Sequence, residues 1–137
     1  MYLLDTNICI FAIKDARANK HSHIMEMFRQ KRISGLGISA ITLAELEHGV
    51  ANSGYPARNA AALMSILVAL HVHPFDERAA SEYGRIRADL QRRGAVIGAL
   101  DMLIASHAKA LGKILVTNNT REFRRIEGLD IEDWTVP

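Results

Sequence analysis

The chain alternates short apolar runs, each stopping on polar residues, with longer stretches of helical period. Tyr2-Leu3-Leu4 is apolar on consecutive positions, breaks at Asp5-Thr6-Asn7, and gives way to a second apolar run from Ile8 to Phe11. Consecutive apolar positions mark a strand covered on both faces, as in a parallel sheet. Residues 1–5 therefore read as a first strand, with a helix beginning near Asn7 and a second helix over Ser22 to Arg32. Gly35 to Ser39 reads as the next strand. Thr42 and Glu45 have capping-box spacing and open a helix that runs to about Asn52. Ser53-Gly54-Tyr55-Pro56 breaks the chain. Residues 57–70, rich in alanine and leucine, read as a helix, and Leu70 to Phe75 as a short strand. Asp76 caps a helix over 77–93 that Gly94 closes. A further helix runs from Asp101 to Leu111 and ends at Gly112. Lys113 to Thr117 is the strongest strand signal, followed by the polar Asn118-Asn119-Thr120, and a last strand is expected near Leu129 to Ile131. This alternation predicts an α/β sandwich, with a mainly parallel sheet of four to five strands flanked by helices, in one domain over 1–137.

Composition narrows the class without naming a function. At 49% hydrophobic and 23% charged residues, the chain is an ordinary soluble globular protein, and 137 residues suffice for one substantial core. No apolar run approaches the roughly 20 residues that span a bilayer, and no signal-peptide pattern opens the chain, so no membrane association and a cytoplasmic location are expected. The lone Cys9, between Ile8 and Ile10, reads as a small core hydrophobe and suits a reducing compartment. Net charge is only +2, but basic residues gather at Arg29 to Arg32, at Arg92-Arg93, and at Arg121 with Arg124-Arg125. Such groups either hold phosphates or are solvated helix ends.

The acids carry more information. In an open α/β sheet, ligands bind beyond the carboxyl ends of the strands. Asp5-Thr6-Asn7 follows the first strand, Ser39 to Glu45 the second, Thr117 to Thr120 the strongest one, and Asp101 stands at a helix mouth behind the small Gly98 and Ala99. Singly, Asp5, Asn7 and Asp101 read equally well as helix caps and Glu45 as part of a capping box. Together they place three carboxylates at one sheet edge, where mutual repulsion raises a pKa unless a cation intervenes. Mg²⁺ prefers such oxygen ligands. No thiolate or imidazole set competes. His71 and His73 share a strand face without a third ligand, and His21, His23, His48 and His107 are expected on surfaces or helix flanks.

Four segments, "YLLDTNICIF", "ISAITLAELEHG", "GALDMLIASHAKALG" and "ILVTNNTREF", resemble the signature segments of the PIN-domain ribonucleases, and more narrowly of the VapC toxins of bacterial toxin–antitoxin pairs. The resemblance runs from Tyr2 to Trp134, and "GLDIEDW" is similar to the ending of one VapC subgroup. It implies a Mg²⁺- or Mn²⁺-dependent endoribonuclease acting on structured RNA such as tRNA, a small VapB-like antitoxin partner, and a homodimer. Asp5, Glu45 and Asp101 match the family's first three acids. The fourth position, where many relatives have aspartate, holds Asn119, and Glu122 stands near enough in sequence to supply the missing charge, with Arg121 and Arg124-Arg125 facing RNA. Thr6 and Thr117 match hydroxyl positions lining such sites, beside Asn7. Glu45 is either a third metal ligand or the group that deprotonates the attacking water. Two other classes stay open. A haloacid-dehalogenase-type phosphatase wants an acid where Asn7 stands, and a non-catalytic binding module has no use for acids at every strand end.

Overall fold

The computed structural model describes residues Met1–Pro137. Five strands, β1 (Tyr2–Leu4), β2 (Leu36–Ser39), β3 (His71–His73), β4 (Ile114–Val116) and β5 (Ile131–Glu132), form one sheet in the order β3-β2-β1-β4-β5. Every pairing is parallel. The order grows outward from β1 to β3 and then returns to the other side of β1 for β4. The chain therefore reverses direction between β1 and β4, the place where an open α/β sheet leaves a crevice.

Seven helices connect or follow the strands: α1 (Thr6–Arg17), α2 (His23–Lys31), α3 (Ala40–Ala51), α4 (Pro56–Leu67), α5 (Glu77–Arg92), α6 (Ala99–Leu111) and α7 (Thr120–Phe123). Alternate residues of β1 feed opposite cores. Tyr2 and Leu4 join Ile8, Cys9, Ala12, Ile24, Leu46 and Leu63 under α1 to α4. Leu3 joins Ile86, Leu90, Met102, Ile104 and Phe123 under α5 to α7. Both faces of the strand are buried, which is why it is apolar at consecutive positions. Cys9 lies in the first core with no exposure, and burial pushes its thiol well above the ordinary range, as suits a packing residue. No helix is long and apolar enough to cross a membrane.

Local signals account for most boundaries. Asp76 accepts the Ala79 N–H at 3.1 Å and caps α5 as expected, whereas Ser22, placed by the sequence inside the second helix, caps it instead by accepting the Met25 N–H at 3.2 Å. Gly112 ends α6 in the left-handed region at φ 64°, where a side chain is strained. Three expectations change. The α3 helix starts at Ala40 rather than Thr42, because Ser39 accepts the Ile41 N–H at 3.1 Å and so takes the cap. Thr42 is left inside the helix and fully buried. Asp101 is no cap either: α6 starts at Ala99 behind Gly98, which places Asp101 in the first turn with its carboxyl free of that duty. His107, expected on a helix flank, is 1% exposed in the interior. The short α7 was not legible among the polar residues after β4. It is held by the buried Phe123.

Trp134 closes the first core, edge-on to Tyr2 at 5.2 Å and to Phe28 at 6.1 Å between ring centroids. Its indole N–H donates to Glu132 Oε1 at 3.0 Å. Trp134→Ala should destabilise the fold by about 3–5 kcal/mol, the usual cost of emptying an aromatic core site. Urea unfolding followed by circular dichroism measures it, and a change under about 1 kcal/mol would mean that the ring does not seal this core.

Candidate active site

A cleft of about 300 Å³ opens beyond the carboxyl ends of β1 and β2, lined by Asp5, Thr6, Asn7, Ile10, Glu45, Asp101 and Asn119. Residues from four segments thus meet at one place: Asp5, Thr6 and Asn7 directly after β1, Glu45 on α3, Asp101 on α6, and Asn119 in the turn after β4. No basic side chain lines it.

Asp5 is the deepest of the acids at 4% exposed. Its Oδ1 accepts the Thr6 N–H at 2.8 Å, so the capping role read from the sequence is real. Its Oδ2 accepts the Thr117 hydroxyl at 2.8 Å across the point where strand order reverses. Thr117, fully buried, also accepts the Asn119 N–H at 3.0 Å. One threonine therefore fixes both the first acid and the turn carrying Asn119. Burial pushes the Asp5 carboxyl above its ordinary pKa, against the pull of these two hydrogen bonds, and nearby Glu45 pushes the same way.

Glu45 is held from α1. The Thr6 hydroxyl donates to Glu45 Oε1 at 2.7 Å. Thr42 Oγ1 lies 3.3 Å from the same hydroxyl, and since the only Thr6 proton points to the carboxylate, Thr42 is the donor of that second contact. Thr42 was read from the sequence only as a capping residue. The spacing that suggested a capping box also places residues 42 and 45 on one helix face, and that is the signal it carried. Glu45 keeps Oε2 free.

Asp101, half-buried, has its pKa raised to about 6, first by burial and then by the charges of Asp5, Glu122 and Glu45. Glu122 does not line the cleft. It accepts a hydrogen bond from Asn119 Nδ2 at 3.2 Å, and so stands behind that amide rather than against a neighbouring arginine. Since Nδ2 turns towards Glu122, Asn119 is left with Oδ1 as its polar atom for the cleft, an orientation assigned from the hydrogen-bond network.

The basic clusters divide. Arg29 pairs with Glu26 on α2. Arg93 pairs with Asp89 at 2.7 Å and donates to the Arg125 carbonyl, while Arg125 reaches the Val96 carbonyl at 3.2 Å. Arg93 and Arg125 together tie down the segment leading into α6. Arg121 and Arg124 are exposed. His71 and His73 pack edge-on at 4.4 Å on the edge strand β3, apart from the cleft-lining set.

The chain matches the PIN domain over residues 2–129. It is 47% identical over 133 residues to the tRNA(fMet)-specific endonuclease VapC of Salmonella typhimurium, covering 97% of each chain. It is 40% identical over 136 residues to Ribonuclease VapC2 of Rickettsia felis, covering 98% of each. Among solved structures, DNA-bound VapBC from Salmonella typhimurium is similar with a TM-score of 0.90 and 45% identity over 97% of each chain. VapBC2 from Rickettsia felis, bound to a DNA fragment from its promoter, has a TM-score of 0.90 and 36% identity, covering 97% of this chain and 98% of that one. Similarity of this extent, on a sheet and cleft built from the same segments, means that the chain belongs to the PIN-domain family, in its VapC ribonuclease branch.

Proposed function

We propose that the acidic cleft is the active site of a divalent-metal-dependent endoribonuclease, the toxin of a toxin–antitoxin pair, with tRNA as its substrate class. The observation that carries this reading is three carboxylates in one cleft with no cation facing them. The donor chemistry fits Mg²⁺ or Mn²⁺. Every polar side chain in the lining offers oxygen and none offers sulfur or imidazole, and burial together with the neighbouring acids raises the Asp101 pKa. No three acidic, cysteine or histidine side chains form a finished cage, so the ion would keep several of its waters.

Asp5 and Asp101, with the amide oxygen of Asn119, would hold the ion. When bound, it supplies Lewis acidity, activating water and offsetting phosphate charge. The chain's own groups do the rest. Thr6 and Thr117 clamp the carboxylates of Glu45 and Asp5 so that neither reorganises when the phosphodiester arrives. Glu45, tied through Oε1, presents Oε2 to take the proton of the water that attacks phosphorus, while the bond from phosphorus to the leaving ribose oxygen breaks. That hydrogen bond leaves Oε2 free, and we assign it the base role. Glu122 acts by orienting Asn119. An unpaired nucleotide suits an open cleft, since its phosphate can approach without a facing strand. The VapC relatives named for tRNA(fMet) support the substrate class. The VapBC assemblies among the similar structures support a VapB-like antitoxin partner. A homodimer in the cytoplasm completes the proposal.

Purified protein on total tRNA should cut with Mg²⁺ and not with EDTA. Asp5→Asn and Asp101→Asn should each lower the single-turnover rate by about 10² or more while leaving the circular dichroism spectrum unchanged. Full activity in either would remove it from the site.

The raised Asp101 pKa also sets a stability profile. Its folded value of about 6 lies above the ordinary carboxylate value of 3.8, so folding favours the proton, and stability falls as pH rises through that window. In EDTA, Asp101→Asn should therefore be more stable than the parent at pH 7.5, by about 1 kcal/mol after allowance for solvent screening of a half-exposed group. The gain should vanish near pH 3.5, where Asp101 is protonated in both folded and unfolded chains. A loss at pH 7.5 would return Asp101 to a structural role.

Glu122→Gln keeps an oxygen to accept from Asn119 and should retain activity within about threefold. Glu122→Ala loses that acceptor and should cost about tenfold or more, the usual scale for a group that orients a metal ligand. Equal losses would make charge, not orientation, the contribution of Glu122.

A further inference from the structure

One buried polar side chain takes no part in the chemistry above. His107 lies on α6, nearly two turns beyond Asp101, and is 1% exposed. Its Nδ1 is 2.7 Å from Ser39 Oγ. Its Nε2 is buried without a hydrogen-bond partner. Ser39, the last residue of β2 and the cap of α3, is itself fully buried, and its hydroxyl oxygen already accepts the Ile41 N–H at 3.1 Å. The rings of Phe75 and His73 stand edge-on to the imidazole, with centroids at 5.3 and 6.2 Å. Burial lowers the His107 pKa, so the ring is neutral at physiological pH and holds one proton. The His107 imidazole and the Ser39 hydroxyl therefore share one hydrogen bond between two buried atoms, with Nε2 left unpartnered.

For stability alone this is a poor choice. Replacing the His107–Ser39 pair by apolar groups of matching shape would remove the stranded Nε2 and the need for the bond. The imidazole provides direction instead. Apolar packing between helices is non-directional and tolerates small slides, whereas a short hydrogen bond between two buried atoms fixes one separation. The two elements it joins carry facing acids: α3 bears Glu45 and α6 bears Asp101, and the helices pack against each other.

We propose that His107 is a positioning residue which, through Ser39 Oγ, fixes α6 against α3 and so sets the spacing of Asp101 from Glu45 across the cleft. This rests on the reading of those two acids as working groups of the site. It assigns to a histidine outside the cleft a control over both metal affinity and rate.

The test compares His107→Phe, His107→Asn, Ser39→Ala and the double variant Ser39→Ala/His107→Phe in the full chain. Two quantities are read: the single-turnover cleavage rate on tRNA, and the Mn²⁺ dissociation constant by electron paramagnetic resonance without RNA. His107→Phe and Ser39→Ala should each lose about tenfold in rate and in Mn²⁺ affinity, the usual scale for a group supporting metal ligands. KM for RNA should move less than about twofold, since no RNA contact is lost. Ser39→Ala also removes the cap of α3, so the double variant should be no worse than Ser39→Ala alone, because the link to His107 is already lost there. His107→Asn, whose amide oxygen can stand in for Nδ1, should recover part of the loss, although it fills the space less well than phenylalanine.

Parent-like rate and Mn²⁺ affinity in His107→Phe would overturn the proposal. So would additive losses in the double variant, or phenylalanine outperforming asparagine, since each makes the role one of volume. If His107→Phe does not fold, His107→Leu, which keeps the Ser39 cap, decides: a parent-like rate and affinity there overturn the proposal, and a tenfold loss supports it. Failure of the underlying reading looks different, because Asp101→Asn would then cleave RNA normally.

Discussion

A carboxylate buried to 4% exposure with no cation beside it is the constraint around which this structure is arranged. Burying the charge of Asp5 is unfavourable unless its oxygens are hydrogen-bonded. Two donors meet that need, the Thr6 N–H from the helix that Asp5 starts and the Thr117 hydroxyl from the neighbouring strand's end. The first is local to Asp5, and the second exists because β1 and β4 lie side by side with the chain leaving them in different directions. Topology therefore creates the pocket and the second donor together. What topology does not remove is the negative charge, which accumulates with Glu45 and Asp101 and adds to burial in raising the Asp101 pKa.

The sheet was legible because the physics that makes it is local and repetitive. Three consecutive apolar residues in β1 are needed to fill two cores, and a reader of the sequence sees them directly. The same holds for Asp76 and Gly112, whose capping chemistry is written in one residue each. The convergence of Asp5, Glu45, Asp101 and Asn119 could be anticipated from the rule that parallel strands present their ends to one edge. The matching of the segments to a known family supplied the rest.

Failures of the reading share a cause: a residue had two physically valid roles and the deciding partner was distant in sequence. Thr42 fits a capping box, yet Ser39 takes the cap and releases Thr42 to back the Thr6 hydroxyl. His107 fits a helix flank, yet it lies against Ser39, 68 positions away. Glu122 fits a compensating charge, and here its partner is close, but only the short α7 brings it behind Asn119. Polar side chains that bridge elements are the part of a fold that periodicity does not encode.

The central claim is that these particular oxygens bind a divalent ion. Diffraction from crystals of the protein grown with Mn²⁺ tests it most directly, because the anomalous signal of manganese locates the ion without assumption about the chemistry. The account predicts a peak in the cleft with Asp5, Asp101 and the Asn119 amide oxygen at about 2.0–2.3 Å, and waters completing the shell. Manganese seated elsewhere on the molecule, with the cleft empty at millimolar concentration, would contradict it.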